Sequence, residues 1–311
     1  MSMLRTRLLG VVIAAAILVY TVAFGASPAK QQTDTGEQLP VPGKSVAADH
    51  GKLSEHNMEW LQSQPPQAQA EFLLEAAVNH DRGATDVIAK NVDSWHGKVH
   101  KSQHLDDLEM TALYSNDLRV RAAAIEVNLA FSDLAKNEDT ATRLIEAAEK
   151  NPGSRAWTAW ELGMLANRGV AQDRIHELLA TWTHDPDQQT RFWAVEGLAH
   201  IGSDATIKNL LDVFRNDPSL EVRERAGCSL AKSGMLTREQ RMKAVPGLLE
   251  LTDDASLDAT TRSWIYQALR EITNTTLPND PARWRNWYDT QGSATVRQLQ
   301  QNDSWSVLGN N

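Results

Sequence analysis

Asp185-Pro-Asp-Gln-Gln-Thr-Arg191-Phe-Trp-Ala-Val-Glu-Gly-Leu198 and Asp217-Pro-Ser-Leu-Glu-Val-Arg223-Glu-Arg-Ala-Gly-Cys-Ser-Leu230 are two copies of one pattern. In each, a capping residue stands four positions before an arginine and a leucine seven after it. The pattern recurs around Arg121, Arg155, Arg191, Arg223 and Arg262, with Asp117, Asn151, Asp187, Ser219 and Asp258 at the cap position. Leu162, Leu198, Leu230 and Leu269 take the leucine position, and Asn128 is the exception. Gaps of 34, 36, 32 and 39 residues separate the arginines. A period between about 20 and 50 residues marks units that bury their apolar faces only by stacking on one another.

Apolar residues three, four, seven and ten positions after the arginine, such as Ala194, Val195, Leu198 and Ile201, form the inner stripe of an amphipathic helix. The Asp187 carboxylate can accept from free amides of the first turn, where the helix dipole also favours it. The arginine is expected to pack its stem between units and carry its head to an aspartate or a carbonyl. A less uniform helix precedes each marked one, over 139–150, 171–183, 205–215 and 238–252. Turns such as Asp185-Pro186-Asp187 join the two, because proline stops the first and aspartate or serine caps the second. The unit is a two-helix hairpin.

The two quoted motifs resemble the HEAT repeat family in its short bacterial form, and Pro246 within 238–252 fits the kink common in the first helix of such repeats. The spacing is shorter than the roughly 40 to 47 residues usual for HEAT units, and the strict period of about 34 of tetratricopeptide repeats is not kept. The resemblance implies an all-α fold, an α-solenoid of stacked two-helix HEAT-like hairpins. It also implies that the second helix of each hairpin lines a concave surface.

Around the array the chain divides by composition. Arg5 and Arg7 precede Leu8 to Ala26, 19 residues without charge, a length that fits a bilayer-spanning helix and exceeds the usual core of a cleaved signal. Residues 1–26 therefore read as an N-terminal membrane-spanning or signal helix, and the positive-inside rule places the rest outside the cytoplasm, anchored or, after cleavage at Ala23-Phe24-Gly25, secreted. Residues 27–53, rich in proline, glycine and glutamine without apolar periodicity, read as a flexible linker. Helices over 55–63, 67–80 and 85–95 make an N-terminal helical cap within 54–101, the array runs over 102–275 beginning with a helix over 103–115, a capping helix falls in 276–297, and 298–311 is a tail. Asp280 caps the last helix with Pro281 at its first position, and Trp284, Trp287 and Tyr288 form one aromatic face suited to closing the open end.

The chain has 31 basic and 40 acidic residues, net −9, and no basic patch, which argues against a nucleic-acid partner. Cys228 is the sole cysteine, so no internal disulfide forms, and a small residue packed on a neighbouring helix is its expected role. Pro42-Gly43-Lys44-Ser45 imitates the end of a phosphate-binding loop, but Gln38 stands where the first glycine belongs. His96, His100 and His104 would align to chelate a metal on one continuous helix, yet Gly97 and the polar run 98–102 point to a turn, so no metal and no cofactor is expected. His176-Glu177 begins like a zinc protease helix, but Ala180 replaces the second ligand. No catalytic motif appears.

The aromatic pattern is more informative. Trp157, Trp193 and Trp264 each follow a marker arginine by two positions, about 200° round the helix and off the apolar stripe, and Trp160 and Phe192 are expected to project further still. With Glu196 and Gln267 at the rim, these seven residues are the candidate binding strip on the concave face, with packing between units as the competing role. The expected function is a monomeric, membrane-tethered, extracytoplasmic scaffold for a protein or peptide, without enzymatic activity. An enzyme-associated role like that of HEAT-like phycobilisome lyases or alkylpurine DNA glycosylases is the first alternative. Both act on the cytoplasmic side, and the latter need a basic groove. A metal-responsive binder using the histidine cluster is the second alternative.

Overall fold

The computed structural model describes residues 51, 53 and 55–294, and helix is the only regular element among them. The segment read as a membrane or signal helix, nearly all of the linker and the tail lie outside the described residues. Among those described, no helix is long and apolar enough to cross a membrane. The helices are α1 (Glu55–Gln62), α2 (Pro66–Val78), α3 (Ala84–Asn91), α4 (Gln103–Leu113), α5 (Leu118–Phe131), α6 (Glu138–Lys150), α7 (Arg155–Asn167), α8 (Gln172–Trp182), α9 (Gln188–Ile201), α10 (Asp204–Asn216), α11 (Leu220–Ala231), α12 (Arg238–Lys243), α13 (Val245–Thr252), α14 (Ala259–Thr273) and α15 (Pro281–Trp287).

Local chemistry places most of the boundaries. Asp187, Asp258 and Asp117 accept from the backbone N–H of Thr190 (2.7 Å), Thr261 (2.9 Å) and Arg119 (2.8 Å). Hydrogen bonds from the Thr261 hydroxyl and backbone hold the Asp258 carboxyl down to about 2. Two of the five expected caps differ. Asn151 opens a 3-10 turn over Pro152–Ser154, so that Ser154 precedes α7, and the Ser219 side chain makes no cap bond. Instead the Asp217 carboxylate, two residues earlier, accepts from the Ser219 N–H at 2.8 Å. The helix expected over 238–252 is two helices, because Pro246 sits in the first turn of α13, where a missing N–H costs nothing.

From α6 onward the hairpins stack in register, with α7 on α9, α9 on α11 and α11 on α14. The marker arginines tie successive units together. Arg155 Nη1 donates to Asp185 Oδ2 (2.7 Å), Arg191 Nε and Nη2 to Asp217 Oδ2 and Oδ1 (2.8 and 3.3 Å), and Arg223 Nη1 to Asp258 Oδ2 (3.0 Å). Each reaches the turn of the next hairpin, so the repeated arginine and the repeated turn aspartate are two halves of one ladder. The tightest crossing is between α7 and α9. A Cβ on Gly163 would lie 2.5 Å from the Gly197 Cα, and one on Gly197 would run into the Ala159 carbonyl; only glycine lets these two backbones approach so closely.

The first copy of the pattern does not continue the stack. Helix α5 packs on α2, α3 and α4 and meets α7 at few points, forming an N-terminal bundle around the buried Trp95, Leu73, Leu74, Ile88, Leu105 and Ile125. Arg121 accordingly has different partners. It donates to the Ser115 carbonyl at 2.5 Å and, across the fold, to the carbonyls of Lys232 (2.7 Å) and Gly234 beyond the end of α11. At the other end Asp280 caps α15 through Arg283 N (3.1 Å), and Trp284, fully buried, donates its indole N–H to the Pro278 carbonyl (3.0 Å) and stacks edge-on with Trp287. That helix rests on α13.

Asn128, the exception at the leucine position, is the buried partner of Glu109 on α4, donating from Nδ2 to Oε1 at 2.6 Å. Burial lifts the Glu109 carboxyl from 4.5 to about 7, against the Asn128 hydrogen bond and the charge of Lys101, with Asp106 adding slightly to the rise. The Asn128 Oδ1 is buried without a partner. The folded state therefore keeps this proton to higher pH than the unfolded chain. Stability should fall as pH rises from about 4.5 to about 7, by about 3 kcal/mol in all. In Glu109→Gln, which keeps the acceptor and adds a permanent donor, this fall is expected to vanish. Urea denaturation at pH 5 and pH 8 checks it.

Candidate protein-binding face

The candidate residues do not share one environment. Trp193 on α9 is the hub of a ring cluster, edge-on to Trp157 (6.4 Å between centroids), Trp160 (5.4 Å) and Phe192 (5.7 Å). Trp160 was expected to project outward. Only 8% of it is exposed, and its ring lies 4.5 Å from that of the buried His200. Glu196, expected at an open rim, is 4% exposed and forms a two-point ion pair with Arg225 of α11 through Nε and through Nη2 at 2.8 Å. Trp264 and Gln267 lie on α14, where Gln267 donates to Glu271 (3.1 Å), and they are not in ring contact with the cluster among the described residues.

The reason is what lies across from α9. Every residue from Ala194 to Ile201 is buried. The loop after α11 returns over the end of α9, with Met235 N donating to the Ala199 carbonyl at 2.8 Å and Gly234, at φ +72°, pressed against it. Arg241 holds the same loop from the other side through the carbonyls of Ala231 (2.7 Å), Lys232 (3.0 Å) and Leu236 (3.0 Å), and Arg121 completes the clasp. Burial among these groups depresses the His200 pKa, leaving a neutral imidazole whose Nδ1 donates to the Glu196 carbonyl at 2.7 Å. The C-terminal halves of α7 and α9 are thus buried, whereas their N-terminal halves keep exposed residues.

The open part is lined from two sides. Helix α7 presents Trp157, 48% exposed, and α9 presents half-buried Phe192 and Trp193. Opposite lie Met110 of α4 and Tyr114, just past the end of that helix, which are one turn apart and 43% and 55% exposed. Lys101, just before α4, sets its ammonium 5.9 Å from the centroid of the Trp157 ring, and the Arg225 guanidinium lies 5.9 Å over Tyr114. These two contacts bring the segment 101–114 up to α7 at one end and α11 at the other.

Sequence reading missed Lys101, Met110, Tyr114, Glu161 and Arg225. A register signal existed for one of them. Arg225 follows its marker Arg223 by two positions, the place that tryptophan holds in three other copies. The α4 residues carried no such signal, because α4 packs on α2 and α5, outside the register of the stack. The three histidines do not share a helix. His96 follows a 3-10 turn and lies 3.8 Å from Asp133, Gly97 breaks the chain direction at φ +68°, and His104 belongs to α4. Among the described residues no group of three or more His, Cys, Asp or Glu is placed to hold a metal. Cys228 is a half-buried free thiol whose pKa burial raises.

A family model described as HEAT repeats matches residues 141–231 and 175–270 in two overlapping spans. No curated protein and no solved structure matches the chain. The matched residues run from α6 into α14, the part of the fold in which the hairpins stack in register, and stop short of α1–α5 on one side and α15 on the other. Residues 141–270 are HEAT repeats, and the chain is a HEAT repeat domain-containing protein.

Proposed function

We propose that this protein is a non-catalytic scaffold that binds a protein or peptide in the open part of its inner face, tethered to a membrane by residues 1–26 with its bulk outside the cytoplasm. The observation that supports binding there is that Met110, Tyr114 and Trp157, three of the large apolar side chains that the described fold leaves exposed, lie on segments joined by the Lys101–Trp157 and Arg225–Tyr114 contacts. Exposed aromatic and methionine side chains on a rigid frame bury much area on contact and lose little conformational freedom. Support for the tether is the basic flank at Arg5 and Arg7 before 19 uncharged residues.

A photo-crosslinking residue in place of Met110 should capture a polypeptide from the native envelope that the same residue in place of Asp173, exposed on α8, does not. Equal capture from both positions would remove the groove from consideration. A reporter that works only outside the cytoplasm, fused after Asn311, should be active, and activity of a cytoplasmic reporter alone would reverse the topology.

A further inference from the structure

Within the groove the charges are unevenly matched. Its cations have partners: Lys101 pairs with Asp106 at 2.6 Å, and Arg225 with Glu196. Glu161, one turn along α7 from Trp157, has none. Its Oε1 accepts from the Trp157 indole N–H at 2.8 Å, and no described basic side chain forms an ion pair with it. The carboxyl is half-buried, and burial raises its pKa, with only the Trp157 bond opposing. Leaving a partly desolvated carboxylate without a counter-ion costs free energy that an incoming cation would recover.

The ring beside it is already arranged for such a cation. Trp157 is the best aromatic type for cation–π attraction, the residue is 48% exposed, and the Lys101 ammonium stands over its ring at 5.9 Å. Lys101 shows that a side-chain ammonium fits over this ring, yet it is held by Asp106 rather than Glu161. The indole N–H bound to Glu161 draws the carboxylate to the edge of the ring whose face takes the cation. A lysine or arginine stem lying along Trp157 would bring its head to that carboxylate, while Met110 and Tyr114 offer apolar contact for flanking residues.

We infer that Trp157 and Glu161 form a receptor for one basic side chain of a peptide or protein partner, with Lys101 as a built-in competitor for the same ring. This rests on the peptide-binding reading above and adds to it the chemistry of the anchor residue. The net charge of −9 favours approach of such a partner.

Random decapeptides displayed on phage, selected on the full chain, test both readings separately. Enriched peptides should share a lysine or arginine, and synthetic copies should bind by fluorescence anisotropy. Replacing that residue with glutamine should weaken binding at least tenfold, as should Glu161→Gln, which keeps the acceptor for Trp157 and so leaves the fold intact. Lys101→Ala should tighten binding several-fold. Enriched peptides that need Met110 but no basic residue, or that bind Glu161→Gln unchanged, would overturn the receptor and leave the scaffold reading standing. Enrichment of nothing would overturn both. Dimerisation of the chain lost in Trp157→Ala would make a second copy the occupant and overturn the inference as well.

Discussion

Arg191→Ala is expected to destabilise the protein by about 3 to 5 kcal/mol, the range for removing one partner of a buried ion pair. The Arg191 side chain is 10% exposed and that of Asp217 2%, and the pair is joined at two points. Alanine would leave the Asp217 carboxylate buried with only the Ser219 N–H for company, and would free the carbonyls of Asp185 and Pro186 that Arg191 Nη1 now reaches at 3.0 and 3.2 Å. The double variant Arg191→Met, Asp217→Asn should recover much of the loss, since the asparagine amide oxygen can still accept from the Ser219 N–H and no charge stays buried. Exposed Arg143, paired with Asp139 on one helix face, is the control, with an expected change within about 0.5 kcal/mol. Urea unfolding of the four proteins checks these expectations. A loss under about 1 kcal/mol for Arg191→Ala would mean that apolar stacking alone holds the units.

The arginine ladder was legible in the sequence because both of its halves recur with the repeat. Marker and turn aspartate lie about one period apart, with Arg155 and Arg191 reaching the aspartate two residues before the next cap and Arg223 reaching the cap Asp258 itself. Where a residue's partner lies outside that register, periodicity carried no information. Asn128 was visible as an exception, but its reason is Glu109, on the preceding helix in a bundle that is not part of the regular stack. Arg121 bears the same marker as the others and does something different, because its unit leaves the stack and its partners lie 111 and 113 residues further along.

Trp160→Ala carries the second large effect, about 3 to 5 kcal/mol, the usual cost of emptying a buried aromatic site. The angular position of Trp160, taken from its marker arginine, put it away from the core, whereas it packs inside the core against α9 of the adjacent unit. That angle cannot report what stands opposite, and opposite Trp160 are His200 and Trp193 rather than water. Trp157→Ala, by contrast, removes a ring 48% exposed and should change stability by less than about 1 kcal/mol. Trp160→Phe should lose less than alanine, because the Trp160 indole N–H is buried without a partner and its removal relieves a polar group that burial penalises. Melting and urea unfolding of the three variants separate packing from surface. If Trp160→Ala were as mild as Trp157→Ala, the cluster would be open to solvent and Trp160 would return to the list of contact residues.

Stacked repeats ordinarily fold from contacts between neighbours, so that an end unit can fray while the rest holds. The clasp from Arg121 to the carbonyls of Lys232 and Gly234 makes this array a closed loop of more than a hundred residues. Closing it requires the segment between to be compact first, because the entropy of joining distant points is recovered only when the intervening units have shortened the path. The clasp should therefore form late in refolding. Pulled from its two termini, the chain should release the N-terminal bundle and the end of α11 in one force event rather than shed hairpins singly from the amino end.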